Sequence, residues 1–157
     1  MLKVLFLCTG NSARSQIAEA ILNSKGKDRI IAYSAGSEPE KEINPYAIKV
    51  LKEIGIDISD CKPKSLKLFS DQYFDFVITL CDRARNQCPV IAGPSIHVHW
   101  GFPDPKYFEG TDEEILKQFR TLVNELTRRI DLFMLLPLEK SDRTTLKKKL
   151  NEIVETN

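Results

Sequence analysis

The chain has 157 residues, of which 42% are hydrophobic and 29% charged, and its net charge is +1. This length predicts one domain, and the composition excludes a disordered or fibrous protein. The balanced charge gives no electrostatic reason to expect a nucleic acid or an anionic membrane as partner. The longest apolar stretches are far shorter than the roughly 20 residues of a membrane span, and the N-terminus lacks an export-signal pattern, so we expect a cytoplasmic protein.

The chain begins with a strand, a helix and a second strand. Residues 3–8 form a nearly continuous apolar run, which is typical of a strand covered on both faces of a parallel sheet. Apolar residues at helical spacing over 15–25 predict a helix with Gly26 as its C-cap. Residues 29–34 predict the second strand.

The next elements continue this alternation. Pro45 opens a helical pattern that Gly55 ends, and residues 74–80 and 95–99 predict a third and a fourth strand. Strands alternating with helices at this spacing predict a single α/β domain, with a four-stranded parallel sheet and helices on both faces.

Two more helices follow the fourth strand. Thr111 begins a capping pattern for a long helix that runs to about residue 136, and residues 140–154 predict a final, Lys-rich helix. We therefore divide the chain into a domain over 1–136 and a helical extension over 137–157. The extension is expected either to dock on the domain or to fray.

The most informative stretch is the sequence CTGNSARS, in which Cys8 ends the first strand and Arg14 opens the first helix. Gly10 allows successive backbone N–H groups to turn inward as an anion nest, to which the helix N-terminus adds further donors. Arg14 supplies a permanently charged fork for a tetrahedral oxyanion. The predicted oxyanion-binding residues are Thr9, Gly10, Asn11, Ser12, Ala13 and Arg14.

The positive field of this loop favours the thiolate form of Cys8, which predicts a nucleophile. Ser15 is close enough in sequence to donate a hydrogen bond to the sulfur. The competing interpretation is that Cys8 is a core thiol and Arg14 an exposed helical residue. The position of both at a strand-to-helix junction favours the anion site.

Residues 8–19 (CTGNSARSQIAE) resemble the phosphate loop of the low-molecular-weight tyrosine phosphatase superfamily, and more closely that of its thioredoxin-coupled arsenate reductases. The resemblance covers residues 2 to about 133 and implies the phosphatase-like fold with an added C-terminal helix. Further shared motifs are Tyr33-Ser34-Ala35-Gly36, Asn44-Pro45, Gly55-Ile56-Asp57-Ile58-Ser59, Thr79-Leu80-Cys81, His99-Trp100-Gly101-Phe102 and Asp104-Pro105.

The resemblance implies roles for an acid and two further cysteines. Asp104 would protonate the departing oxygen, although Asp104-Pro105 taken alone is a turn signal. Cys81 and Cys88 are seven residues apart, about 10 Å along a helix, so a disulfide between them requires unwinding. In the resembling reductases, the matching cysteines form this redox-active disulfide.

A zinc site is the competing interpretation of these cysteines. The spacing of Cys81 and Cys88 is uncommon for zinc ligands, and no second pair completes four ligands. His97 and His99 share one face of the fourth strand, which leaves a Cys/His site open, but we expect no metal. Cys61 is expected to be a non-catalytic thiol.

The resemblance therefore implies reduction of arsenate to arsenite by Cys8, Cys81 and Cys88, regenerated by thioredoxin or a similar dithiol protein. We expect no bound cofactor, a monomer, and phosphate and sulfate as competing oxyanions. The alternative is a phosphotyrosine phosphatase with a Cys8 phosphoenzyme. Gln16, where those phosphatases usually carry proline, disfavours that alternative, and Tyr107 favours it.

A third hypothesis is an anion-binding or thiol-sensor module that lacks turnover. Such a module needs neither a nucleophile nor an acid, so the presence of Cys8, Arg14 and Asp104 together disfavours it.

Some resembling reductases bind potassium behind the phosphate loop through an asparagine, a glutamate, a serine and an aspartate. Asn11, Glu19 and Ser34 match the first three, but Lys64 takes the place of the aspartate. If its ammonium reaches Glu19 and Asn11, it replaces the cation. Otherwise Lys64 is a solvated loop residue and the cation site is lost.

Overall fold

The structure is a computed structural model that describes residues 1–81 and 95–155, except for the side chains of residues 154 and 155. Its four strands form one parallel sheet in the order β2–β1–β3–β4. The strands are β1 (Leu2–Cys8), β2 (Ile30–Gly36), β3 (Phe76–Thr79) and β4 (Ile96–His99). The helices are α1 (Arg14–Gly26), α2 (Pro45–Glu53), α3 (Asp112–Leu135) and α4 (Arg143–Glu155).

The predicted α/β fold is confirmed, and β1 lies at the centre of its sheet. Every residue from Val4 to Cys8 is buried. Because successive side chains of a strand point to opposite faces, both faces of β1 are covered. No helix in the described part of the chain is long and apolar enough to cross a lipid bilayer.

The sheet register places the candidate site residues at the carboxyl ends of the strands. Cys8 pairs with Gly36 of β2, and its neighbour Leu7 pairs with Thr79 of β3. The strand order changes direction at β1, whose two neighbours come later in the chain. In open α/β sheets the crevice at such a point, outside the carboxyl ends of the strands, is where ligands bind.

The helix ends predicted from the sequence are found at α2 and α3 but not at α1. Gly55 ends α2 with a φ of 83°, and Thr111 and Glu114 form a capping box at α3, as predicted. The prediction for Gly26 is wrong, because this residue is the last of α1 and Lys27 takes the positive φ of 35°. A Cβ on Gly26 would lie 3.1 Å from Ile30 Cβ, so glycine here permits close approach to β2.

The C-terminal helix is docked on the domain. Leu146, Leu150 and Ile153 of α4 belong to the same hydrophobic core as the sheet. The Arg143 guanidinium also donates to the Ser95 carbonyl at 2.8 Å, just before β4. Residues 137–157 were expected either to dock or to fray, and the described part of this extension is packed.

Arg29 anchors the chain between α3 and α4. Its guanidinium donates to the carbonyls of Met134 at 2.6 Å and Leu136 at 2.9 Å, which lie at the end of α3. The same group pairs with Glu139 at 2.6 Å. A cation at a helix C-terminus satisfies carbonyls that have no partner within the helix.

We predict that Leu150→Ala lowers the free energy of unfolding by about 2–5 kcal/mol, the usual cost of truncating a buried leucine. Leu150 is 0% exposed, whereas Leu135 is 79% exposed and serves as the matched control. Leu135→Ala should change stability by less than about 0.5 kcal/mol. Urea unfolding measures both, and equal values for the two variants would show that α4 does not stabilise the domain.

Candidate active site

The loop between β1 and α1 turns three carbonyl oxygens outward, towards the segment that follows β2. The bonds run from the N–H groups of Glu38, Glu40 and Asn44 to the carbonyls of Thr9, Gly10 and Ser12, at 2.9, 2.9 and 2.8 Å. Because a trans peptide directs its N–H opposite to its carbonyl, the following N–H groups face inward. Successive N–H groups that face inward in this way have the geometry of a nest that can hold an anion.

Two backbone features allow this loop to lie against β2. A Cβ on Gly36 would lie 2.5 Å from the Thr9 carbonyl oxygen and 3.0 Å from the Asn11 nitrogen, so only glycine fits. Asn11 has a φ of 51°, in the left-handed region that asparagine tolerates better than most residues. This conformation directs its N–H at Cys8 Sγ, at 3.2 Å.

The Cys8 sulfur is buried and has two polar neighbours, the Asn11 N–H and the Ser15 hydroxyl. Cys8 is 2% exposed, and Ser15 Oγ lies 2.9 Å from its Sγ. Asn11 Nδ2 in turn donates to Ser15 Oγ at 2.7 Å. Either group can donate in the contact between Cys8 and Ser15, and towards an ionised Cys8 only the Ser15 hydroxyl has a hydrogen to give.

Arg14 and Asp104 form an ion pair. The buried Arg14 donates through Nη1 to the Phe102 carbonyl at 3.0 Å, and its Nη2 lies 3.5 Å from Asp104 Oδ2. Asp104 Oδ1 accepts from the Lys106 N–H at 3.0 Å and caps the short 3₁₀ helix Pro105–Tyr107. Asp104 thus serves the turn with one oxygen and faces Arg14 with the other.

A buried arginine supports the loop that carries Asp104. The Arg129 guanidinium of α3 stacks over the Phe102 ring at 4.2 Å from its centroid. Burial lowers the pKa of Arg129 from its ordinary value. Phe102 therefore connects α3 to Arg14, through its ring on one side and its carbonyl on the other.

Cys8, Arg14 and Asp104 line one cavity of about 330 Å³, to which Cys81 also contributes. Cys81 is buried, and its Sγ lies 3.2 Å from Thr9 Oγ1 of the phosphate loop. Tyr107 lines the same cavity and is 71% exposed at its mouth. Cys88, the other cysteine of the predicted disulfide, lies outside the described residues.

The remaining candidate residues lie away from this cavity. His99 Nδ1 contacts Thr79 Oγ1 at 2.8 Å, and burial lowers the pKa of His97, followed by the charges of Lys147 and Arg143. The pKa of Cys61 is raised, first by partial burial and then by the Glu19 carboxylate. Within residues 1–81 and 95–155, no three His, Cys, Asp or Glu side chains are grouped to hold a metal ion.

Lys64 lies behind the phosphate loop. Its ammonium is 3.3 Å from Glu19 Oε2 and 3.4 Å from Ser34 Oγ. The ammonium was expected to reach Asn11 as well. Instead, Asn11 Oδ1 accepts from the Lys64 backbone N–H at 2.7 Å. The ammonium therefore contacts two of the three groups that match the potassium ligands.

Sequence reasoning gave no role to the residues that hold the loop carbonyls from outside, although Asn44-Pro45 was among the shared motifs. Glu38, Glu40 and Asn44 act through their backbone N–H groups, which carry no residue-specific signal. The contact between Thr9 and Cys81 joins residues 72 positions apart, so no local pattern reveals it.

Comparison with known proteins places this geometry in a family. The low molecular weight phosphotyrosine protein phosphatase family matches residues 3–151. An arsenate reductase from Halalkalibacterium halodurans is 45% identical over 130 residues, which cover 83% of this chain and 93% of that protein.

Solved structures with this fold include both reductases and phosphatases. A thioredoxin-dependent arsenate reductase from Corynebacterium glutamicum has a TM-score of 0.60 at 34% identity, covering 84% of this chain and 63% of that one. A low molecular weight protein tyrosine phosphatase from T. tengcongensis has a TM-score of 0.70 at 29% identity, covering 87% and 100%. The fold alone does not separate the two activities, so the site residues must.

We predict that the melting temperature does not change when potassium replaces sodium at constant ionic strength, because the Lys64 ammonium already contacts Glu19 and Ser34. Lys64→Asp removes the ammonium and adds a carboxylate, so its melting temperature should rise with potassium. The exposed Lys67 is the matched control, and Lys67→Asp should gain no potassium dependence. A potassium-specific rise in the unmodified protein would contradict a built-in cation.

Proposed function

The chain belongs to the low-molecular-weight phosphotyrosine phosphatase family, and we propose that within it the protein is an arsenate reductase with Cys8 as nucleophile. The observation that carries this proposal is the position of Cys81, which lines the same cavity as Cys8 and contacts Thr9. Reduction of arsenate needs two electrons, which a pair of thiols supplies when it forms a disulfide. Hydrolysis needs only one thiol and water.

The first step is displacement at arsenic. The loop amides and Arg14 hold the oxygens while the Cys8 thiolate attacks, forming a sulfur–arsenic bond as one arsenic–oxygen bond breaks. The departing oxygen takes a proton from Asp104, whose Oδ2 faces Arg14. Arsenic remains pentavalent in this adduct, because the step exchanges an oxygen ligand for sulfur.

The second step reduces arsenic. The Cys81 sulfur attacks the Cys8 sulfur, and the sulfur–arsenic bond breaks with its electron pair remaining on arsenic. Arsenite leaves with trivalent arsenic, and Cys8 and Cys81 are joined by a disulfide. The two thiols have together lost the two electrons that arsenic gained.

Regeneration completes the proposed cycle. Cys88 attacks Cys81, which frees Cys8 and moves the disulfide to Cys81 and Cys88, and a thioredoxin-like dithiol protein then reduces that disulfide. The cycle uses no bound cofactor. A cytoplasmic location belongs to the proposal, because the thiols must be kept reduced between turnovers. Phosphate and sulfate share the tetrahedral shape of arsenate and are expected to compete with it.

The second candidate function is hydrolysis of phosphotyrosine. Tyr107 favours it, because an aromatic side chain at the mouth of the cavity can pack against a phenyl ring. The similarity to a tyrosine phosphatase structure supports it as well. Both functions use Cys8, Arg14 and Asp104, and only reduction uses Cys81.

The decisive experiment measures arsenate turnover with thioredoxin, thioredoxin reductase and NADPH, beside hydrolysis of p-nitrophenyl phosphate. Cys8→Ser should abolish both activities, because a serine hydroxyl is almost entirely un-ionised near neutral pH and is therefore a poor nucleophile. Cys81→Ser and Cys88→Ser should each stop multiple turnover of arsenate and leave hydrolysis unchanged. The exposed Cys61 provides the matched control, and Cys61→Ser should retain both activities.

Two results would contradict the proposal. If the unmodified protein hydrolyses p-nitrophenyl phosphate and turns over no arsenate, it is a phosphatase. If Cys81→Ser loses both activities to the same extent, Cys81 has a structural role.

We further predict that Asp104→Asn slows the first chemical step about 10²–10⁴-fold, the usual contribution of a positioned acid. Asparagine keeps an Oδ1 that can cap the turn at Lys106, so the variant removes the acid and retains the local fold. Single-turnover formation of the Cys8 adduct, followed by rapid quench, measures this rate. The exposed Asp71 is the control, and an Asp104→Asn rate equal to that of Asp71→Asn would restrict Asp104 to the turn.

A further inference from the structure

Gln16 is a buried polar residue that the proposed mechanism does not use. It is the third residue of α1 and is 2% exposed. Its Nε2 donates to Asn11 Oδ1 at 3.0 Å and to the Lys62 carbonyl at 3.1 Å. The side-chain amide therefore uses both of its hydrogens on two separate loops, one of which is the phosphate loop.

The orientation of the Asn11 amide depends on these donors. Asn11 Oδ1 accepts from Gln16 Nε2 and from the Lys64 N–H, so Nδ2 must face the other way. There it donates to Ser15 Oγ, which contacts Cys8 Sγ. A chain of buried hydrogen bonds thus runs from Gln16 through Asn11 and Ser15 to the sulfur.

We propose that Gln16 is a positioning residue for Cys8, acting through Asn11 and Ser15. By holding Asn11 Oδ1, it directs Nδ2 to the acceptor side of Ser15, which leaves the Ser15 hydrogen for the thiolate. In a buried chain each such bond polarises the next, so a lost donor at Gln16 weakens the bond at the sulfur. The inference rests on the proposed function only in taking Cys8 as the nucleophile.

The competing interpretation is that Gln16 only ties α1 to the loop at Lys62. A purely structural role predicts lower stability on substitution with no change in the ionisation of Cys8. The two interpretations therefore differ in how the reactivity of Cys8 depends on pH, rather than in stability.

The experiment compares Gln16→Met and Gln16→Glu. Both side chains have nearly the volume of glutamine, and neither methionine nor an ionised glutamate can donate a hydrogen bond. The rate of Cys8 alkylation by iodoacetamide is followed against pH, with the Cys8 peptide quantified by mass spectrometry. In Gln16→Met we expect the midpoint, the pH at which the alkylation rate is half its maximum, to rise by about 0.5–1 unit. A shift of this size corresponds to one weakened charge-assisted hydrogen bond. Gln16→Glu should move the midpoint further, because its carboxylate would face two oxygen acceptors.

Gln118 supplies the matched control. Its Nε2 also donates to two carbonyls, those of Glu109 and Glu114, but on the exposed face of α3. Gln118→Met should leave the Cys8 midpoint unchanged. A midpoint in Gln16→Met equal to that of Gln118→Met would overturn the inference.

If the Gln16 variants do not fold, a measurement on the unmodified protein tests the hydrogen bonds of Gln16 on which the inference depends. The side-chain amide protons of Gln16 should exchange with solvent at least about tenfold more slowly than those of Gln118. Both hydrogens of the Gln16 amide are bonded inside the protein, whereas the Gln118 amide lies on an exposed face. Equal exchange would overturn the inference. Neither readout requires arsenate turnover, so a failed turnover assay refutes the proposed function without deciding the role of Gln16.

Discussion

The outward direction of the phosphate-loop carbonyls is the constraint on which the rest of the site depends. Backbone N–H groups after β2 hold the carbonyls of Thr9, Gly10 and Ser12, so the following N–H groups face the cavity. The loop can approach β2 this closely because Gly36 has no Cβ. The shape of this candidate anion site is therefore made by backbone geometry, and Arg14 adds a permanent positive charge at its side.

Behind the loop, the polar groups near Cys8 are buried and bonded to one another. Asn11 and Ser15 are 0% exposed, and each has a hydrogen-bond partner in the network. An unpaired polar group at this depth would cost free energy, whereas a satisfied network holds a single arrangement. The Cys8 sulfur thus lies within hydrogen-bond distance of Ser15 Oγ and of the Asn11 N–H, which this network holds in place.

The same loop brings the candidate oxyanion site and the proposed second thiol together. Thr9 belongs to the phosphate loop and also contacts Cys81, which comes two residues after β3. Phosphatases and reductases share the fold, as the two solved structures show. The difference proposed for this protein is therefore a second thiol added to a common oxyanion site, without a change of scaffold.

The sequence by itself determined the elements and the local motif, because both depend on neighbouring residues. Apolar periodicity gave the order of strands and helices, and the run from Cys8 to Arg14 identified the anion loop and its family. Tertiary structure decided which groups meet across long separations. It brought Cys81 to Thr9, the Lys64 ammonium to Glu19 and Ser34, and it made Gly26 a contact for Ile30 instead of a helix cap. These contacts depend on sheet register and packing, which no local pattern encodes.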